Sequence, residues 1–335
     1  MDEHFNGWPH AAPAFHPGEQ ALQTRAGVGQ RMAEVGARVV RGHMPDQHRE
    51  LFEQLPFLLV GAQDAQRRPW AMVAAGAPGF VRTPDARTLT IVAQPLGGAA
   101  VPLSLAPGMP LGLLGLQPHT RRRNRVNGAV AACDAGGFTL RVQQSFGNCA
   151  KYIQARTLRP AAAAPTQVER FGAALPEAAQ RLVEQADTFF IATASADAGL
   201  PQAAPNGGVD VSHRGGKPGF VRVQSHEGRT VLTAPDFAGN FFFNTFGNLF
   251  THPWAGLLFI DWARGDLLML TGRAEVLWDG ALLQAFEGAQ RLLRVQVTEG
   301  RWLPGAMPWR AEGGVDYAPQ LAATGSWDAA AEALR

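Results

Sequence analysis

Gly256-Leu257-Leu258-Phe259-Ile260 is a second writing of Gly112-Leu113-Leu114-Gly115-Leu116, and this pair of runs decides how the chain reads. Working outward, Pro78-Gly79-Phe80-Val81-Arg82 returns ahead of the second run as Pro218-Gly219-Phe220-Val221-Arg222. Farther upstream, Glu53-Gln54, an apolar run and Pro69 return as Glu184-Gln185, an apolar run and Pro201. Three landmarks in the same order predict two similar lobes that pack as an internal pseudo-dimer. A seam between such lobes is a natural place for a ligand.

The segments between the landmarks are short, apolar and separated by turn residues. They predict strands near 57–61, 70–74, 79–82, 88–92, 111–116, 123–131 and 137–143. In the second half strands are expected near 188–194, 201–205, 219–224, 229–233, 254–261, 266–277 and 291–298. Most gaps are too short for the crossover helices of a parallel sheet. The expected class is therefore mainly β: antiparallel barrels with flanking helices. Helices are predicted near 47–54, capped by Asp46, and near 149–153, 176–186 and 240–250. The expected organisation is a lead-in (1–45), a first lobe (46–158), an Ala/Pro linker (159–170), a second lobe (171–314) and a tail of little pattern (315–335). Gly27, Gly29 and Gly36 argue against a long helix in the lead-in, and His16-Pro17-Gly18-Glu19 reads as a polar turn.

At 335 residues the chain can build two cores, and a net charge of +2 does not suggest a nucleic-acid partner. No apolar run is long enough to span a membrane, and residues 1–10 lack the pattern of a signal peptide. A cytoplasmic protein is expected. Cys133 and Cys149 make no disulfide framework. The nine histidines show no metal-binding spacing, and neither a Gly-x-Ser-x-Gly elbow nor a convincing general acid or base is visible.

Three stretches carry candidate chemistry. In the first, a strand ending at Thr233 runs through Asp236-Phe237-Ala238-Gly239-Asn240 to Asn244-Thr245-Phe246-Gly247-Asn248. A helix start there would present free N–H groups, amides and a hydroxyl, which suits a phosphate; the plainer alternative is that Asn240 caps the helix. The second is His119-Thr120-Arg121-Arg122-Arg123-Asn124-Arg125, where a strand would put Arg121, Arg123 and Arg125 on one face. Those guanidinium groups need an anion between them, a carboxylate across the lobe interface, or solvent. The third is Gln143 to Ile153, containing Ser145, Asn148, Cys149 and Lys151. Cys149 reads as a buried thiol rather than a nucleophile, and Cys133 as core.

The second half resembles the FMN-binding split-barrel superfamily typified by pyridoxamine 5′-phosphate oxidase. The likeness lies in the loop and helix start, in Thr251-His252-Pro253 followed by Gly256-Leu257-Leu258-Phe259, and in Leu270-Thr271-Gly272-Arg273-Ala274-Glu275. The tandem length resembles that superfamily's predicted flavin-nucleotide-binding branch. The resemblance implies two split barrels and FMN, with FAD or haem as alternatives. It implies a flavin-dependent oxidoreductase acting on a small organic substrate. The other readings are a non-catalytic flavin or haem protein, or a redox-partner module with an empty pocket.

In the family the phosphate loop often carries adjacent Arg and Lys. Here Asn240, Asn244 and Thr245 stand in those places, with Arg222, Arg214, Lys217 or an arginine of the other lobe to supply charge. Carried over, Thr233, Asn240, Asn244, Thr245, Asn248, Arg222, Pro205, Asn206, Ser145, Asn148, Cys149, Lys151 and Arg123 would line one composite site. Lys151, Ser145 and the backbone from Pro205 to Gly208 would face the flavin ring, and a haem would take His252 or His213 as its axial ligand. The first lobe has Gln94 to Ala100 where the second has its loop, so one occupied site is expected rather than two. A separate flavin reductase or ferredoxin-type electron donor is an expected partner. The chain would be a monomer built as a pseudo-dimer, or a homodimer.

Overall fold

A computed structural model describes residues 7–97, 105–164 and 167–335, so the Gln94–Ala100 comparison lies partly outside the described residues. The lead-in is helical: α1 (Pro17–Arg25) and α2 (Gly29–Val39). Neither helix is long, and two of the glycines that argued against a long one have identifiable tasks. Gly27 turns the chain between the two helices at φ 69°. Gly36 lies against the Phe15 ring, which a Cβ would approach to 2.5 Å.

After α3 (Asp46–Glu53) come β1 (Phe57–Gln63), β2 (Pro69–Ala75), β3 (Val81–Asp85), β4 (Thr88–Ile91), β5 (Pro110–Gln117), β6 (Arg122–Asp134) and β7 (Gly137–Gly147). They form one antiparallel sheet in the order β2-β1-β5-β6-β7-β4-β3. Next come β8 (Ala155–Pro160), β9 (Glu169–Phe171), α4 (Glu177–Gln185), β10 (Thr188–Ala194), β11 (Val209–Gly215), β12 (Arg222–His226), β13 (Arg229–Phe237), α5 (Asn244–Thr251), β14 (Trp254–Ile260), β15 (Leu267–Leu277), α6 (Ala281–Ala285) and β16 (Ala289–Leu303). Their sheet runs β11-β10-β14-β15-β16-β13-β12, with β9 added on β16. Strand for strand the second order repeats the first, so the fold is mainly β and internally duplicated.

The duplicated glycines explain the duplicated sequence. Gly112 on β5 packs on β11, where a Cβ would stand 2.5 Å from the Val209 carbonyl oxygen. Gly256 on β14 packs on β2, where a Cβ would stand 2.5 Å from both the Pro69 carbonyl oxygen and Trp70 Cα. Each lobe thus presents a glycine at the same strand position to the other. Around this contact β1 and β10 are buried along their whole length. One apolar cluster joins Leu58, Val60 and Trp70 to Phe190, Leu258 and Met269.

Several local expectations need correction. Residues 201–205 form turns instead of a strand; prolines stand at 201 and 205, and Asp197 Oδ2 accepts from Ala204 N at 2.8 Å. Residues 149–153 are a turn with Tyr152 at φ 62°, not a helix. Asp46 does not cap α3: Pro45 is the N-cap, and Asp46 pairs with Arg49 at 3.2 Å. The tail is built, with β17 (Trp309–Asp316) pairing with β8 and α7 (Trp327–Ala333) anchored by Trp327 Nε1 donating to the Phe220 carbonyl at 2.8 Å. Cys133 is only half-buried, its thiol on the Leu105 carbonyl at 3.3 Å.

His48 ties α3 to β7 through a 2.9 Å contact between Nδ1 and Ser145 Oγ. Burial, then the charges of Arg41 and Arg122, lowers its pKa from 6.5 to about 4. A depressed folded-state pKa means that the neutral imidazole stabilises the fold above pH 6.5, and that this contribution is lost as pH falls toward 4. Denaturant titration should show a loss of about 2 kcal/mol between pH 7 and pH 5 that is absent from His48→Gln. An equal loss in both proteins would contradict the assignment.

Candidate functional site

The first lobe's β6 reaches across the seam to β11 and α5. Arg125 on β6 donates from Nη1 to Asp210 Oδ1 at 2.9 Å and from Nη2 to Ser212 Oγ. Asp210 also accepts from Asn127 Nδ2 at 2.8 Å and Asn248 Nδ2 at 2.7 Å. Against this clamp lies a cavity of about 110 Å³. Arg123, Asn148, Cys149, Lys151 and Tyr152 supply its first-lobe wall. Arg214, Asp236, Asn240, Phe241, Asn244 and Thr245 supply much of the other.

The loop into α5 is strained, with Phe241 at φ 63° and Phe243 at φ 62°. Left-handed conformations cost about 1–2 kcal/mol each outside glycine. α5 follows with no side-chain cap, and Asn244, Thr245 and Phe246 of its first turn border the cavity. Asn240 does not cap it either: its Oδ1 accepts from Phe242 N at 3.1 Å.

The charges are unbalanced. Arg123, Arg125, Lys151, Arg214 and Arg291 line the cavity. Two carboxylates answer them: Asp210 behind Arg125, and Asp236, which pairs with Arg291 at 2.8 Å and Arg214 at 3.5 Å. Arg123 has no carboxylate partner among the described residues; its Nε donates to the Cys149 carbonyl at 2.7 Å. Burial, then the Arg214 and Arg125 charges, pushes Arg123 down to about 9, which leaves it protonated at neutral pH. Burial and the Arg291 and Arg125 charges also lower Arg214, against the pull of Asp236. Arg125 Nε, Arg214 Nε and Asn148 Nδ2 are buried with no hydrogen-bond partner. Unsatisfied donors beside surplus positive charge describe an anion site.

The arginines are peculiar to this end of the seam. By strand register, Arg123 and Arg125 face Leu116 and Leu114 on β5. The matching positions of the second lobe, facing Ile260 and Leu258, are Leu267 and Met269. Arg214 faces Phe189 on β10, and its first-lobe counterpart facing Leu58 is Ala74. At the matching end of the seam these three positions are packed apolar core.

Of the predicted site residues, the structure brings together Asn240, Asn244, Thr245, Asn148, Cys149, Lys151 and Arg123. The other six lie elsewhere. Thr233 is interior to β13, which runs on to Phe237, four residues past the expected end. Arg222 turns its guanidinium over the Trp327 ring at 5.9 Å. Ser145 is held by His48, and Asn248 by Asp210 and Thr193. The Pro205 carbonyl accepts from Gln144, and Asn206 holds the lead-in through the Pro13 and Phe15 carbonyls.

Arg121 leaves the predicted arginine face because it sits before β6 at φ 56° and pairs with Asp316 at 2.9 Å. Lys217 donates to the Thr324 carbonyl. Cys149 is exposed, not buried, because its turn runs along the rim. Sequence reasoning missed Arg291 and gave Asp236 no role; the two face each other across β13 and β16, a pairing visible only with the register known. It also missed Tyr152 and Phe241. His213 lines the cavity, kept neutral by burial and by Arg123, Arg214 and Arg156, while His252 is outside it.

No helix among the described residues is long and apolar enough to cross a membrane, and no cluster of three metal-ligating side chains occurs among them. No curated protein matches the chain. Among solved structures, HupZ of Group A Streptococcus is 14% identical, over 42% of this chain and 99% of that one, with a TM-score of 0.29. A candidate 5-nitroimidazole antibiotic resistance protein of Bacteroides thetaiotaomicron is 11% identical, over 47% and 96%, with a TM-score of 0.24. Residues 175–305, from the approach to α4 through the end of β16, match the pyridoxamine 5′-phosphate oxidase family. The second lobe is therefore the part of this chain that is similar to the pyridoxamine 5′-phosphate oxidase family.

Proposed function

We propose that the seam cavity anchors the phosphate of FMN, or of a related flavin nucleotide, and that the chain is a flavin-dependent oxidoreductase acting on a small organic substrate. The observation that carries this reading is the surplus of cations, drawn from both lobes, around the uncapped start of α5. The fit is to the anionic end of the nucleotide.

Arg123 and Arg214 would take the phosphate charge, Asn148 Nδ2 would gain the partner it lacks, and Thr245 would offer its hydroxyl. Asp236 keeps Arg291 and Arg214 turned inward. Tyr152 and Phe241 supply apolar surface at the opening. A bound flavin supplies the electron chemistry; the protein binds and orients it. Haem is the second reading, because His213 is neutral, buried and unpartnered at Nδ1, as an axial ligand must be.

Equilibrium titration followed by flavin fluorescence tests the first reading. One FMN per chain should bind, about a thousandfold or more tighter than riboflavin, because the phosphate makes the charge-assisted bonds. Equal affinity for riboflavin, or two sites per chain, would overturn it. A single intense Soret band on adding haemin would favour the second.

A further inference from the structure

His16-Pro17-Gly18-Glu19 has a task at each position. His16 is the N-cap of α1, its Nδ1 accepting from Gly18 N at 3.1 Å, and Pro17 occupies the first turn. Gly18 lets α1 touch α5: a Cβ there would stand 2.3 Å from the Gly247 carbonyl oxygen. A Cβ on Gly247 would in turn stand 2.6 Å from Glu19 N and Cγ. The two helices therefore cross glycine on glycine, and that contact brings the Glu19 carboxyl onto α5.

Glu19 does more than a capping residue requires. One oxygen, Oε2, accepts from His16 N at 2.8 Å and completes the capping box. The other, Oε1, accepts from Nδ2 of Asn244, a residue of the cavity wall. The Glu19 side chain is 3% exposed, and burial of a carboxyl is costly unless its bonds are made. Burial and the nearby Asp210 raise its pKa well above the ordinary value, which favours the uncharged acid. One turn on, Gln23 Nε2 donates to the Phe242 carbonyl at 3.2 Å, between the two strained phenylalanines. The lead-in thus grips the cavity loop and the first residue of α5 from outside.

We infer that Glu19 is a positioning residue for the seam site, holding the Asn244 amide in one orientation at the cavity wall, so that the N-terminal helix is part of the binding site. The inference rests on the anion-site reading above.

FMN affinity, measured by fluorescence titration on the full chain, tests it. Glu19→Ala should weaken binding about tenfold. Glu19→Gln, which keeps the length and can still accept from Asn244, should restore it to within about threefold. In an Asn244→Ala background, Glu19→Ala should have no further effect. Glu19→Asp, which keeps the carboxyl but is one methylene short, gives the same reading should the alanine variant not fold. An unchanged affinity in Glu19→Ala would overturn the inference while leaving the FMN reading intact. So would a loss that persists in the Asn244→Ala background, because it would show general loosening. If the wild-type chain takes up no FMN, the same variants are read against inorganic phosphate by calorimetry. Binding of neither probe by the wild type would overturn both readings.

Discussion

Replacing Arg123 and Arg214 together by methionine will weaken FMN binding about a thousandfold and raise the melting temperature in the same protein. Both effects have one cause. The fold holds more positive charge around the cavity than Asp210 and Asp236 can balance. Arg123 and Arg214 both have lowered pKa values, so the folded state disfavours their charged forms. Methionine keeps much of the apolar stem and removes the charge. Asp236 retains Arg291, so no carboxylate is stranded. Two charge-assisted bonds to a phosphate contribute about 1.5–3 kcal/mol each, which sets the thousandfold scale. Thermal melting with and without FMN reads both quantities. A variant that melts lower than the wild type, or that binds FMN as tightly, would mean the arginines are structural. Stability traded for a binding site is a recurrent pattern in proteins.

Gly256→Ala will destabilise the fold by about 3 kcal/mol or more and abolish flavin binding, although the residue does not border the cavity. The added methyl would meet main-chain atoms at 2.5 Å, the Pro69 carbonyl oxygen and Trp70 Cα, which cannot turn aside as a side chain can. β14 must then withdraw from β2, and the lobes move apart. The cavity has a wall in each lobe, so it opens with them. Gly172→Ala is the control: a Cβ there meets nothing within 4 Å, and stability should change by less than about 0.5 kcal/mol. Chemical denaturation together with FMN titration compares the two. A Gly256→Ala protein as stable as the control would show that the glycine contact does not set the lobe spacing.

The site was half legible. Asn240, Asn244 and Thr245 could be found because their loop and helix are contiguous, and Asn148, Cys149 and Lys151 because they follow one strand. Arg222 misled because it is near the loop in sequence, whereas its partner is Trp327, more than a hundred positions on. The pairing of Arg291 with Asp236 was invisible because β13 and β16 meet only once α5, β14 and β15 have intervened. The lead-in forms two short helices rather than one long one. Its glycines lower helix propensity, yet two of them serve close contacts: Gly36 against Phe15 and Gly18 against Gly247. Propensity is a weak prior where packing requires the absence of a side chain.

By itself the sequence determined the class and the duplication. Alternating apolar runs broken by turns leave few alternatives to antiparallel strands, and a repeated glycine on a repeated strand marks a repeated contact. The tertiary structure alone decided which end of the seam carries charge. Strand register placed Arg123, Arg125 and Arg214 around one cavity and set Leu267, Met269 and Ala74 at the matching places. It also brought Glu19 to Asn244 across 225 positions. Such meetings depend on how two sheets and a helix dock, and pair separations of that length leave no local pattern to read.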